Sequence, residues 1–249
     1  MIDRIRASLI AGALLSTVAV APAHGQEVAE ARWLAFVGCW EAVNSDVESG
    51  LLCFMPASDG VEMFNVVDGN IASTEILVAD GEQRAVSAEG CEGWESIDFS
   101  ADGRRAFTRS EFVCGEAARS GTGIMAVTAP NQWVDVRSLD VDGEAVAWVQ
   151  EYRLAGPDRL ALEGMSDPVA GIGMAVSTSR RVASAAIDIA DVEEAARHVD
   201  SKVLETWLAA QQDHFELNGS EIARLADSGV PASVIDVMVA VTYPEKFMV

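Results

Sequence analysis

Basic residues are scarce in this chain of 249 residues. Lys and Arg together number 17 against 39 Asp and Glu, which gives a formal net charge of −22 at pH 7. A field of that sign repels the phosphates of nucleic acids and of anionic lipids. We therefore expect no nucleic-acid partner and no binding to polyanionic surfaces.

Histidine is also rare, with only three residues, His24, His198 and His214. None lies between residues 31 and 154. A histidine-ligated haem, a Ser-His-Asp triad and a histidine-bound metal each need an imidazole. Those sites are excluded from this part of the chain, and we expect His198 and His214 to lie on helix surfaces. No cofactor and no metal site are predicted.

Long apolar runs are absent except at the start of the chain. Arg4 and Arg6 precede an apolar run over residues 7–21, and the small residues Ala21-Pro22-Ala23 follow. This order is typical of a secretory signal peptide. The run is shorter than the ~20 residues that a membrane-spanning helix needs, although a retained anchor is the alternative interpretation. We predict a signal peptide over residues 1–25, no membrane span after its removal, and a periplasmic or secreted protein.

The sequence contains four cysteines, Cys39, Cys53, Cys91 and Cys114. Their spacings match no C-x-x-C zinc pattern, and no histidine lies nearby. An even number of cysteines in an exported chain predicts disulfide bonds. We expect two of them.

Asp-Gly pairs divide the first half of the chain into short β-prone stretches. Asp-Gly favours tight hairpin turns because it adopts positive φ angles readily. Turns recur about every ten residues and predict ten antiparallel strands over residues 31–154. Such an up-and-down arrangement is expected to close into a β-barrel, which removes its unpaired edges. The Asp-Gly pairs are Asp59-Gly60, Asp68-Gly69, Asp80-Gly81, Asp102-Gly103 and Asp142-Gly143.

The first predicted strand contains Gly38-Cys39-Trp40. This triplet resembles the Gly-x-Trp signature that begins the first strand of lipocalins. The resemblance covers residues 31–154 and implies an up-and-down barrel of eight to ten strands that encloses a small ligand. No later lipocalin motif is found. The alternative is that Trp40 only packs one end of the barrel, as large aromatic rings usually do.

The composition and the periodicity of the sequence change after residue 154. Residues 155–186, rich in Ala, Gly, Ser and Met, are interpreted as a linker with an added strand near residues 173–182. Residues 187–249 show helical periodicity, with Asp188, Asp200 and Asn218 as N-caps, and a weak internal repeat that predicts a small four-helix module. The stretch Ala226-Asp227-Ser228-Gly229-Val230-Pro231 resembles C-terminal modules of bacterial envelope proteins, which implies no activity. A protein partner is a candidate for this module.

The hairpin around Asp142-Gly143 gives the candidate ligand site. A two-residue turn there places three pairs of opposed residues on one face. Aromatic rings with a few polar groups suit the interior of a ligand-binding barrel. The competing interpretation places the same face outside, with Arg stacked on Trp. The pairs are Trp133 with Tyr152, Asp135 with Gln150, and Arg137 with Trp148.

These observations favour an exported binding protein that takes a small, partly apolar molecule. The ligand is expected to have an apolar body and an anionic or hydrogen-bonding end that meets Arg137. The alternative is an extracytoplasmic protein–protein interaction module with a filled barrel and no ligand. An enzyme is the third hypothesis, since nothing marks carboxylates such as Asp98 and Glu111 as catalytic.

Non-reducing peptide mapping tests the predicted strand register. A two-residue turn at Asp102-Gly103 places Cys91 directly opposite Cys114, at a separation that a disulfide can span. Cys39 then pairs with Cys53. The expected result is these two links, and a Cys39–Cys91 link would contradict the register and the order of the strands.

Overall fold

The computed structural model describes residues 31–43, 50–88, 90–141, 143–211 and 213–247. The predicted signal peptide, residues 1–25, lies outside the described residues, and so does Asp142 of the predicted Asp142-Gly143 turn. The described chain folds as one antiparallel sheet of ten strands followed by seven helices. The prediction of a mixed β and α protein with ten up-and-down strands is confirmed.

The strands follow one another along the chain as predicted. Each neighbouring pair is antiparallel, and the order in the sheet is β4-β3-β2-β1-β10-β9-β8-β7-β6-β5. The first strand therefore pairs with the last. Their bounds are β1 Gly38–Ala42, β2 Leu51–Ala57, β3 Gly60–Val67, β4 Asn70–Leu77, β5 Arg84–Ala88, β6 Cys91–Phe99, β7 Arg105–Cys114, β8 Ala117–Ala129, β9 Gln132–Val141 and β10 Glu144–Leu154.

The expected closed barrel is wrong, because β4 and β5 are the two ends of the sheet and do not pair with each other. Asp80-Gly81 accordingly does not form a hairpin turn. The backbone N–H of Gly81 donates to the carbonyl of Ile97 at 2.8 Å, and Asp80 pairs with Arg84 at 2.7 Å. The first contact joins the connection between β4 and β5 to β6, and the second joins it to the start of β5.

Both predicted disulfides are confirmed, Cys39–Cys53 and Cys91–Cys114. Each joins directly opposed residues of neighbouring strands, with Cα atoms 4.0 and 4.1 Å apart. Two disulfides are consistent with an oxidising environment outside the cytoplasm.

Residues 155–186 contain helices rather than the expected strand. Val176, Arg180 and Ala183 are buried at spacings of four and three residues, which places them on one helix face. No helix among the described residues is long and apolar enough to cross a membrane. The helices are α1 Pro157–Leu162, α2 Gly173–Ala183, α3 Ile189–His198, α4 Ser201–Gln211, α5 Gly219–Asp227, α6 Ala232–Thr242 and α7 Pro244–Phe247.

The predicted N-caps lie where the helices begin. The Asp188 carboxylate accepts from the backbone N–H of Asp191 in a capping box, and the Asn218 side chain accepts from Ser220 and Glu221. Asp200 accepts from Val203 at the start of α4. Each cap satisfies N–H groups that the first helical turn leaves unpaired.

Helices α3 to α6 pack on the outer face of the sheet, the face that carries Val134 and Val136. The predicted burial of Leu204, Trp207, Val234 and Met238 is confirmed, since each is 0% exposed. These helices do not bury their apolar stripes against one another alone. They share a single apolar cluster with sheet residues Phe107, Ile124, Ala126, Val134 and Val136. That residues 187–249 form a four-helix module stays a prediction.

One end of the sheet is closed by aromatic residues and by α2. The Trp40 indole is fully buried and donates to the carbonyl of Phe36 at 2.7 Å. The Arg180 guanidinium lies 4.8 Å from the Trp40 ring centre and donates to the carbonyls of Ala35 and Val37. Burial lowers the pKa of Arg180 to about 10, so it still carries its charge at neutral pH.

Replacement of Arg180 tests this closure. Arg180→Ala leaves two buried carbonyls without donors and uncovers Trp40, and we expect it to lower the free energy of unfolding by about 2–4 kcal/mol. The exposed neighbour Arg181 provides the matched control, Arg181→Ala, with an expected change within about 0.5 kcal/mol. Urea unfolding measures both, and equal values would contradict the assigned role.

Candidate functional site

The inner face of the curved sheet borders a partly open cavity of about 280 Å³. Its walls come from strands β2, β3 and β4 on one side and β6 to β10 on the other, because every second residue of a strand points to the same face. We call this space the inner cavity. Its apolar wall consists of Leu52, Met63, Leu77, Ile97, Met125 and Trp133, and its principal ionisable side chains are Glu75, Glu95, Asp135, Arg137 and Tyr152.

Asp135 and Arg137 form an ion pair on the wall contributed by β9. They are two residues apart, so both side chains point inward. The Arg137 Nε donates to both carboxylate oxygens of Asp135, at 3.0 and 2.9 Å. The Asp135 side chain is 16% exposed and that of Arg137 is 46% exposed. The guanidinium therefore reaches open space while its carboxylate partner lies against the wall.

Protonation of this pair is shaped by burial and by the neighbouring charges. Burial raises the pKa of Asp135 above its ordinary value, and Arg137 opposes that rise. Asp135 in turn raises the pKa of Arg137, and Glu95 adds to the effect. Burial, followed by the charge of Asp135, raises the pKa of Tyr152 and keeps its phenol neutral.

Aromatic rings form the floor of the inner cavity. Trp133 stacks on Tyr152 with ring centres 4.3 Å apart and planes 6° from parallel. The Trp133 ring also makes T-shaped contacts with the rings of Phe36, Trp40 and Phe54. The Trp133 Nε1 is buried without a hydrogen-bond partner among the described residues. The floor is consequently rigid and apolar, and it offers ring surface to an occupant.

Two glutamates face each other where the sheet is open. Glu75 lies on β4 and Glu95 on β6, and both side chains line the inner cavity. Partial burial raises the pKa of Glu75, the neighbouring Glu95 raises it further, and Arg137 opposes the rise. The two glutamates therefore lie on opposite sides of the opening between the unpaired ends of the sheet.

The predicted register of the β9–β10 hairpin is confirmed, with Trp133 opposite Tyr152, Asp135 opposite Gln150 and Arg137 opposite Trp148. Four of these six residues line the inner cavity, namely Trp133, Asp135, Arg137 and Tyr152. Trp148 and Gln150 do not line it. The Trp148 side chain is 47% exposed, further along β10, and the Gln150 amide donates to the carbonyls of Val43 and Glu151.

The face of the Asp102-Gly103 hairpin that carries Phe107 and Arg109 turns outward. Phe107 stacks on His198 of α3, with ring centres 4.6 Å apart. Arg109 donates to the carbonyls of Arg197 and His198 at the C-terminal end of the same helix. This face therefore docks a helix, as a cation at a helix C-terminus suits the helix dipole.

Glu75 and Glu95 are site residues that the sequence analysis missed. The register at Asp102-Gly103 pairs Glu95 with Ser110, which is a signal for Glu95, although it does not show which face of the hairpin turns inward. Glu75 carries no comparable signal, because its place depends on the pairing of β1 with β10. Among the described residues, no group of three His, Cys, Asp or Glu side chains is arranged to hold a metal ion.

Comparison with known protein families, with curated proteins and with solved structures finds no match. The lipocalin resemblance therefore stays a prediction that depends on Gly38-Cys39-Trp40 and on the strand pattern. The function has to be argued from the inner cavity itself.

The contact between Glu75 and Glu95 predicts a pH effect on stability. A carboxyl group whose pKa is raised by folding stabilises the fold at low pH, and this contribution is lost as the pH rises above the ordinary pKa of 4.5 towards the raised value. Glu75→Gln removes the effect, since an amide donates to Glu95 at any pH. We expect a gain at pH 7 of up to about 1 kcal/mol, because Glu75 is solvent-exposed, and little change at pH 4.

Urea unfolding at both pH values measures this difference. The control is Glu92→Gln on the outer face of β6, which is exposed and should leave the pH dependence unaltered. A loss of stability in Glu75→Gln at pH 7 would contradict the assigned contact.

Proposed function

We propose that the protein is an exported binding protein whose inner cavity takes a small, partly apolar molecule, in the manner of a lipocalin-like barrel. The observation that carries the proposal is the inner cavity, which combines an apolar and aromatic floor with a few charged groups on one wall. Ligand sites generally have this composition, with apolar contacts that supply area and polar groups that orient the ligand.

The volume limits the size of the ligand. At about 280 Å³ the inner cavity lies just below the roughly 300–1,000 Å³ that is usual for drug-sized ligands. The occupant is accordingly a small molecule, with its apolar part against the apolar wall and aromatic floor and its polar part near the ionisable side chains of the cavity.

The location follows from two features that support export. The N-terminal segment has the order of charged, apolar and small residues of a secretory signal. The two disulfides suit an oxidising compartment, either the periplasm or the extracellular medium.

The alternative, a protein–protein interaction module with a filled barrel, has less support. A cavity between the sheet walls argues against a filled interior. In the described part of α3 to α6, the only large apolar side chain exposed is Ile222, because the apolar stripes are already packed on the sheet. A partner that binds these helices would find little apolar surface.

Titration with a neutral fluorescent probe, N-phenyl-1-naphthylamine, tests the proposal. We expect saturable binding that quenches tryptophan emission, because Trp133 and Tyr152 form the floor. Thr108→Trp places a bulky ring into the inner cavity and should lower the affinity for the probe at least tenfold.

The matched control for that variant is Ala145→Trp, which adds the same ring at an exposed position of β10. It should leave the affinity unchanged, and circular dichroism checks that both variants fold. Equal binding by the two variants, or no binding by the native protein, would contradict a ligand-binding cavity.

A further inference from the structure

The charges around the inner cavity are unequal. Its lining includes three carboxylates, from Glu75, Glu95 and Asp135. Arg137 is the cation whose head group faces them. Arg109 also borders the cavity, but its guanidinium is bound to helix carbonyls on the outer face of the sheet. The walls therefore carry more negative than positive charge.

Arg137 is poorly placed to attract an anion. Its Nε is held by both oxygens of Asp135, and Glu95 is a second negative neighbour. An anionic ligand would have to approach the guanidinium against these charges. Like charges brought together in a partly desolvated site cost free energy, and a net charge of −22 on the whole chain adds to the repulsion.

Glu75 and Glu95, in contrast, are well placed to attract a cation. Two carboxylates on facing walls of one cavity repel each other, and a cation placed between them removes that repulsion. An ammonium group has three N–H donors and no acceptor, so it satisfies both carboxylates at once. No third metal-ligating side chain joins them among the described residues, which makes an ammonium a better partner than a metal ion.

The rest of the inner cavity is suited to a hydrocarbon chain. Leu52, Met63 and Leu77 lie on the same side as Glu75, and Ile97 lies on the same strand as Glu95. A cation with a short apolar chain can place its charge between the glutamates and its chain against these residues. Burial of each methylene group contributes about 0.8 kcal/mol.

We propose that the inner cavity selects small organic ammonium ions, primary amines with a short apolar body, and binds their charged end between Glu75 and Glu95. This assignment rests on the proposed function, since it requires that the inner cavity bind a ligand. It replaces the anionic end expected from Arg137 alone, because the sequence did not show that other carboxylates converge on that residue.

Three probes with the same six-carbon chain test the assignment: hexylamine, 1-hexanol and hexanoate, measured by calorimetry and by displacement of N-phenyl-1-naphthylamine at pH 7. We expect hexylamine to bind at least tenfold more tightly than hexanol, and hexanoate to bind most weakly. Because the attraction is electrostatic, raising the salt concentration should lower the affinity for hexylamine more than the affinity for hexanol.

Two double variants separate the local charge from the charge of the whole protein. Glu75→Gln with Glu95→Gln removes two charges from the inner cavity and should weaken hexylamine at least tenfold while hexanol is unaffected. Glu92→Gln with Glu111→Gln removes two charges from exposed positions on the outer face of β6 and β7, and hexylamine binding should persist.

The outcomes distinguish the two proposals. If hexanol or hexanoate displaces the probe as well as hexylamine does, the cavity binds ligands but the preference for a cation is wrong. If the outer-face variant weakens hexylamine as much as the inner one, the whole-protein charge is responsible and the assignment to Glu75 and Glu95 is wrong. If neither the neutral probe nor any six-carbon compound binds, the proposed function itself fails.

Discussion

The backbone pairing of β1 with β10 holds the molecule in its curved form. This pairing joins the first and last strands of the meander, with Trp40 opposite Leu154. A twisted sheet held in this way must curl, so that β2 to β4 face β6 to β9 across an enclosed space. The inner cavity, its aromatic floor and the meeting of Glu75 with Glu95 all depend on that curl.

One face of the sheet packs against helices, and the other lines the inner cavity. On β9 the outward residues Val134 and Val136 pack against the helices, while the inward residues Trp133, Asp135 and Arg137 line the cavity. Because side chains alternate along a strand, residues that stabilise the fold and residues that face the cavity are interleaved in the sequence. The helices therefore cover one face and leave the other free, except at the end closed by Trp40 and Arg180.

Electrostatics sets a second constraint on the cavity. Asp135 is partly buried, and it stays compatible with the fold because Arg137 binds both of its oxygens. Glu75 and Glu95 lie where the sheet is open, so solvent reduces their mutual repulsion. The carboxylate on the β9 wall is thus paired with an arginine, whereas Glu75 and Glu95 have each other as their nearest charged neighbours across the opening.

The sequence by itself determined the features that depend on residues close together in the chain. The ten strands, the register around Asp142-Gly143, both disulfides and the N-caps at Asp188 and Asn218 follow from turn chemistry and hydrogen bonds within one hairpin or one helical turn. Only the tertiary structure decided which face of each hairpin turns inward, that β4 and β5 stay unpaired, that residues 173–183 form a helix, and that Glu75 reaches the cavity. These outcomes depend on contacts between residues far apart in the chain, whose energies no local pattern encodes.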